Sequence, residues 1–153
     1  MQKLNSGDKA PHFDLKDQNY QDVAISAFSG KKLLMFFYPK ANTSGWTTQA
    51  KHVRDALKEL EEKKVEVIGI SPDNSEAQKK FDDKFSLGFK LLSDPSHDVA
   101  EAYGVWGEKK MYGKTFMGII RSSFLIDENG KVEHTWYKIS PENTIPELMK
   151  KLG

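Results

Sequence analysis

A chain of 153 residues is long enough for one domain with its own buried core and needs no disulfide staples. Its 23 basic and 22 acidic residues leave a net charge of +1, which argues against a nucleic-acid footprint and against an anionic-membrane partner. With no cysteine anywhere, the chain as written has no disulfide, no thiolate metal site and no thiol catalysis. No apolar run approaches the length of a membrane span, and the opening MQKLNSGDKAPHF lacks an apolar leader stretch, so a cytoplasmic protein is expected.

The first elements are short. Phe13 and Leu15 alternate with polar residues after Gly7 and Pro11, and Val23-Ala24-Ile25 follows a polar turn at Asp17–Gln21. Together they predict an edge hairpin. The continuous apolar run Leu33–Tyr38 predicts a central strand covered on both faces. A polar turn over 39–45 leads into a helix from about Trp46 to Lys63, with Ala50, Val53, Leu57 and Leu60 as its apolar stripe. Arg54, Asp55, Lys58, Glu59, Glu61 and Glu62 form its solvated face.

Val65–Ile70 reads as a second strand, and Ser75-x-x-Gln78 as a capping box opening a helix with Ala77, Phe81 and Phe85 on one face. A strand over Phe89–Leu92, a turn at Asp94-Pro95 and a short helix within His97–Tyr103 follow. Residues 104–118 mix lysines, glycines and aromatics without a clean period. Gly118–Ile126 reads as one strand, Asp127–Gly130 as a hairpin turn and Val132–Tyr137 as the returning strand. Ser140 is the expected N-cap of a last helix, with Pro141 at its first position and Ile145, Leu148, Met149 and Leu152 on its apolar face.

The stretch FFYPKANTSGWTTQAKHVRD, from Phe36 to Asp55, runs from strand through loop into helix. Such a junction collects free backbone N–H groups and the positive end of a helix dipole, a place suited to an anionic nucleophile or ligand. Thr43 or Ser44 can cap the helix; Thr43 in that role puts Trp46 at the third helical position. With the G-x-x-x-P-x-F-x-L opening and the strand Arg121-Ser122-Ser123-Phe124-Leu125-Ile126-Asp127, this stretch closely resembles the peroxiredoxins of the Q-type or bacterioferritin comigratory protein branch. The resemblance covers essentially the whole chain. It implies a single-domain α/β protein with the thioredoxin-like fold: a central mixed sheet flanked by helices, with an N-terminal β-hairpin.

The resemblance also implies a site. The family motif Pro-x-x-x-Thr-x-x-Cys falls on Pro39, Thr43 and Trp46, so tryptophan stands at the peroxide-attacking cysteine's place. In the family a thiolate attacks the O–O bond of hydrogen peroxide or an organic hydroperoxide. Pro39 would shield the pocket, Thr43 would hydrogen-bond the peroxide or the sulfur, and Arg121 would stabilise the thiolate and the developing alkoxide. No metal or tightly bound cofactor is implied, thioredoxin or a small thiol is the reductant, and a monomer is the expected state. Lys51 occupies the place of the usual resolving cysteine, Ser44 that of a common proline, and Gln49 that of a common glutamate.

An indole cannot replace the thiol: its N–H only donates. Trp46 therefore has three candidate origins: an engineered replacement of cysteine, a UGA codon meant for selenocysteine, or a natural pseudoenzyme. In the last case the fold serves as a peptide-binding or holdase module, using Trp46, Trp106, Tyr112 and Phe116. His12, His52, His97 and His134 show no metal-ligand spacing, and Lys109, Lys110 and Lys114 lie scattered among aromatics.

Overall fold

The computed structural model describes residues 3–41, 44–140 and 143–152. The N-terminal hairpin is β1 (Asp14–Lys16) and β2 (Asp22–Ala24), followed by a 3₁₀ turn over Ile25–Phe28. Then come β3 (Lys32–Phe37), α1 (Ser44–Glu62), β4 (Val65–Ser71), α2 (Ser75–Phe85), β5 (Lys90–Ser93) and α3 (Asp98–Ala102). The second half holds β6 (Trp106–Met111), β7 (Lys114–Ile119), β8 (Ser122–Ile126), β9 (Val132–Tyr137) and α4 (Thr144–Leu152).

Seven strands form one mixed sheet in the order β2-β1-β5-β4-β3-β8-β9, while β6 and β7 pair only with each other. As the unbroken apolar run requires, β3 is central: it runs parallel to β4 and antiparallel to β8. Its side chains alternate between two cores. Leu33, Met35 and Phe37 join Phe13, Ile68, Ile70, Ala100 of α3 and Phe124 on one face. Leu34, Phe36 and Tyr38 join Trp46, Val53 and Leu60 of α1, Phe81 of α2 and Leu148 of α4 on the other.

Several boundaries differ from the sequence reading. Helix α1 begins at Ser44 rather than Trp46, as a cap at Thr43 would require, although Thr43 itself lies outside the described residues. The cap of α2 is Asn74, not Ser75: Asn74 is extended, and its side-chain oxygen accepts from the Ala77 N–H at 2.8 Å. Ser75 and Gln78 are buried, and Gln78 donates to Ser71 Oγ and the Leu92 carbonyl instead of closing a capping box. Strand β5 starts one residue late. At the last helix, Pro141 lies outside the described residues, and the Ser140 hydroxyl is buried with no hydrogen-bond partner among them.

The largest difference concerns residues 104–121. The expected single strand Gly118–Ile126 is two strands in two sheets, separated at Ile120-Arg121. The first belongs to a hairpin with β6, where Met111 faces Lys114 across a two-residue turn. Tyr112 and Gly113 in that turn both have positive φ, 53° and 77°. That is the geometry of a type I′ turn, which favours Asn-Gly over Tyr-Gly. A tyrosine in this region carries a strain of about 1 kcal/mol, and the 96% exposed ring packs on nothing that would offset it. Tyr112→Asn is expected to slow amide hydrogen exchange in β6 and β7 by roughly five-fold, the effect of about 1 kcal/mol on a local opening. Exchange that stays the same or quickens would refute the strain.

Candidate active site

The strand pairing determines where the site lies. The parallel pair β3–β4 sends both C-termini to one end of the sheet, where Tyr38 prolongs the ladder by donating its N–H to the Ile70 carbonyl at 3.0 Å. Antiparallel β8 begins at that same end, because Phe37 pairs with Ser122. The residue before Ser122 is Arg121. Ligand sites of α/β sheets characteristically form outside the carboxyl ends of the strands, and here that end gathers Pro39, the start of α1 and Arg121.

The loop after β3 is tied to the loop after β4. Asp73 Oδ2 accepts from the Ala41 N–H and from the Ser71 hydroxyl, both at 2.7 Å. Half-buried Pro39 sits between this tether and Tyr38. The Tyr38 hydroxyl donates to Gln78 Oε1, and burial pushes its pKa far above the usual range, so the phenol is a fixed donor.

Arg121 reaches α1 directly. Its Nη1 donates to Gln49 Oε1 at 2.8 Å, and Gln49 Nε2 donates to Thr144 Oγ1 at 2.8 Å. Fully buried Gln49 thus joins β8, α1 and α4. A glutamate at this position would pair with the guanidinium; Gln49 offers it a neutral acceptor instead. Burial lowers the Arg121 pKa, yet a guanidinium remains charged throughout the physiological range. Gln49 lies three residues, a little under one turn, beyond position 46, which sets Arg121 against the opening turns of the helix.

Trp46 is wholly buried. Its indole stacks on Tyr38 with centroids 3.8 Å apart and planes at 7°. Phe36, Phe81 and Phe89 surround it with centroids 6.2–6.4 Å away. Gly69 makes room: a Cβ there would meet Tyr38 Cε1 at 3.0 Å and Trp46 Cη2 at 3.3 Å. The indole N–H has no hydrogen-bond partner among the described residues. Trp46 is therefore a core residue with a buried donor left over, and it shares no surface with Trp106, Tyr112 and Phe116. Of the residues expected at the site, Pro39, Trp46 and Arg121 lie around the start of α1, and Thr43 lies outside the described residues.

The sequence shows Lys109 only as one of three lysines scattered among aromatics. It is half-buried, and burial together with the charge of Arg121 lowers its pKa. Sequence carries no signal for this, since only the β6–β7 pairing lays the lysine stem over Gly118. His97 stacks on Trp106 at 3.8 Å, a structural role, and no cluster among the described residues could hold a metal ion. No helix among them is long and apolar enough to cross a membrane.

A seven-stranded mixed sheet with helices on both faces, and an arginine set against a strand–loop–helix junction, defines the peroxiredoxin variant of the thioredoxin-like fold. Comparison with known proteins agrees. The AhpC/TSA family matches residues 6–135. Peroxiredoxin Bcp of Escherichia coli K12 is 48% identical over 143 residues, 94% of this chain and 92% of that protein. Peroxiredoxin Bcp of Bacillus subtilis is 41% identical over 149 residues, 97% and 95% of the two chains. Among solved structures, a cysteine-to-serine mutant of PrxQ from Xylella fastidiosa superposes with a TM-score of 0.93 at 28% identity, covering 99% of this chain and 97% of that one. Peroxiredoxin Q of Xanthomonas campestris gives 0.86 at 30% identity, covering 92% and 89%. The chain belongs to the AhpC/TSA family of peroxiredoxins, and its likeness is to the Bcp/PrxQ members.

Because four rings enclose the indole, Trp46→Ala is expected to lower unfolding stability by about 3–5 kcal/mol in urea titrations, the range for large aromatic truncations. A loss below about 1 kcal/mol would show that the rings do not pack as described.

Proposed function

We propose that this chain carries the scaffold of a peroxidase for hydrogen peroxide and organic hydroperoxides, with position 46 the seat of a cysteine or selenocysteine nucleophile. The observation supporting this reading is Arg121, whose guanidinium is held by the neutral amide of Gln49 against the opening of α1. In the proposed reaction, a thiolate or selenolate at position 46 attacks the distal peroxide oxygen. The O–O bond breaks, the leaving alkoxide takes a proton to become water or an alcohol, and the nucleophile becomes a sulfenic or selenenic acid. Arg121 stabilises the negative charge before and during the displacement. Pro39 limits water access, and Thr43 donates a hydrogen bond to the peroxide or the nucleophile.

Lys51 is exposed on α1, its ammonium 5.1 Å from the Phe85 ring centre, where a resolving thiol would otherwise be expected. The proposed enzyme is accordingly of the one-centre kind, and thioredoxin or a small thiol reduces it from outside. The cytoplasm and a monomeric state complete the reading. With Trp46 in place no atom at the site can cycle between oxidised and reduced forms, and the chain as written does not turn over peroxide.

Trp46→Cys is expected to gain thiol-dependent peroxide consumption over the parent while losing stability, since a small side chain leaves a cavity among the rings. In that background Arg121→Met should reduce kcat/KM by about 10²–10³-fold. A Trp46→Cys protein no more active than the parent would count against the pocket. The codon for residue 46 separates the origins: UGA, UGU or UGC supports the peroxidase, and UGG supports a native tryptophan.

The aromatic enclosure of Trp46 favours a native tryptophan, and in that second reading the fold binds peptides through surface other than the buried indole. Its test is titration with unfolded client peptides, followed by tryptophan fluorescence. A flat response would sink it.

A further inference from the structure

Exposed apolar surface gathers on the β6–β7 hairpin. Among the described residues four large hydrophobic side chains are exposed, and three of them, Tyr112, Phe116 and Met117, fall within six residues on this arm. From Lys114 to Met117 every residue of β7 is exposed, so both faces of the strand meet solvent. The arm joins the core at its base, where Ile119 is buried and Trp106 packs against the same cluster. A two-stranded ribbon that buries so little is marginal by itself, and apolar side chains held out on both of its faces are what a contact surface requires.

The register shows how charge is laid over that surface. Successive side chains of a strand point to opposite faces, so Phe116 shares a face with Lys114, and Met117 shares the other with Thr115, whose cross-strand partner is Lys110. Each face therefore sets one apolar side chain beside an exposed lysine: Phe116, 42% exposed, near Lys114, and Met117, 50% exposed, diagonal to Lys110. The hairpin holds three lysines against one glutamate, in a chain whose whole net charge is +1. In its own sheet β7 pairs with β6 alone, and the other edge of such a strand offers backbone N–H and C=O groups to one more strand. A second copy fits this edge badly, since pairing two arms brings together hairpins with the same excess of positive charge. A strand of the opposite charge fits it well.

We propose that the outer edge of β7 docks an extended acidic segment of a partner protein, which adds to the hairpin as a third strand. In that strand a carboxylate lies opposite Lys114 and apolar side chains lie opposite Phe116 and Met117. Backbone hydrogen bonds supply affinity, and the side chains select the partner. The Tyr112 ring extends the contact at the tip, which accounts for a tyrosine in a turn whose geometry favours asparagine. The docking surface is independent of what occupies position 46, so it stands or falls separately from the peroxidase reading.

The experiment is a titration of the full chain with the peptide acetyl-Glu-Thr-Val-Val-Thr-Glu-amide, whose palindromic sequence matches β7 in either strand direction. Peptides with glutamine or lysine in place of both glutamates run in parallel, and binding is read by ¹H–¹⁵N NMR and amide hydrogen exchange. The glutamate peptide is expected to slow exchange at alternate residues of β7, those whose N–H points away from β6. The glutamine peptide should bind about five-fold more weakly, the upper range for an exposed ion pair, and the lysine peptide should give no protection. Phe116→Ser should weaken binding by about ten-fold, and Lys114→Gln should remove the difference between the glutamate and glutamine peptides. Both side chains are exposed, so the amide spectrum outside the arm should be unchanged in these variants, which separates lost binding from lost structure. No response to the glutamate peptide would overturn the proposal. So would β7 protection that rises with protein concentration in the peptide-free chain, which would assign the edge to a second copy. Equal binding of the glutamate and glutamine peptides would overturn it as well, while leaving the peptide-binding reading above in place.

Discussion

The antiparallel pairing of β3 with β8 is the constraint on which the site depends. β3 is buried on both faces and cannot slip without turning Leu34, Phe36 and Tyr38 out of one core and Leu33, Met35 and Phe37 out of the other. With that register locked, Phe37 must lie beside Ser122, and Arg121 must emerge where the chain leaves β3 for α1. The distance in sequence is bridged by nothing more specific than the burial of two apolar strands. The hydrogen bond from Arg121 to Gln49 then sets the direction of the guanidinium.

Position 46 lies between two demands. It belongs to the strand–loop–helix junction, where a helix terminus favours an anion, and it also points into an aromatic core where Tyr38, Phe36, Phe81 and Phe89 favour a large ring. Tryptophan satisfies the second demand at the cost of one unpaired N–H. A thiol would satisfy the first and leave the rings to close over a smaller side chain. Gly69 supplies the space that the indole fills, since a Cβ there would stand 3.3 Å from Trp46 Cη2.

Much of the fold was legible because its signals are local and periodic. The run Leu33–Tyr38, the stripe Ala50–Val53–Leu57–Leu60 and the turn Asp127–Gly130 each state their structure within a few residues. Resemblance placed Arg121 and position 46, and the structure shows how pairing brings them to one end of the sheet. The hairpin over 106–119 was not legible for a physical reason. Its turn uses tyrosine where the geometry favours asparagine, and the strand pattern from Lys114 to Met117 is exposed on both faces, so there is no alternation to read. The break at Ile120-Arg121 was hidden for the opposite reason. Ile119 is buried and Ile120 half-buried on either side of a change of sheet, and together they look like one continuous strand. The cap of α2 went to Asn74 because Gln78 was drawn into the buried network around Tyr38 and the buried Ser75 hydroxyl turns to Ser93, tertiary demands that override a local motif.

The same break explains how a chain with almost no net charge leaves a half-buried cation at the end of its sheet. Pairing β8 with β3 delivers Arg121 to the point where the chain leaves β3 for α1. Nothing in the folding of the sheet calls for a charge there: burial works against the guanidinium, and its hydrogen bond to Gln49 aims it at the helix start. Residues that stabilise a fold are explained by the fold; this one works against it, and the physical account of its presence lies in the site it serves.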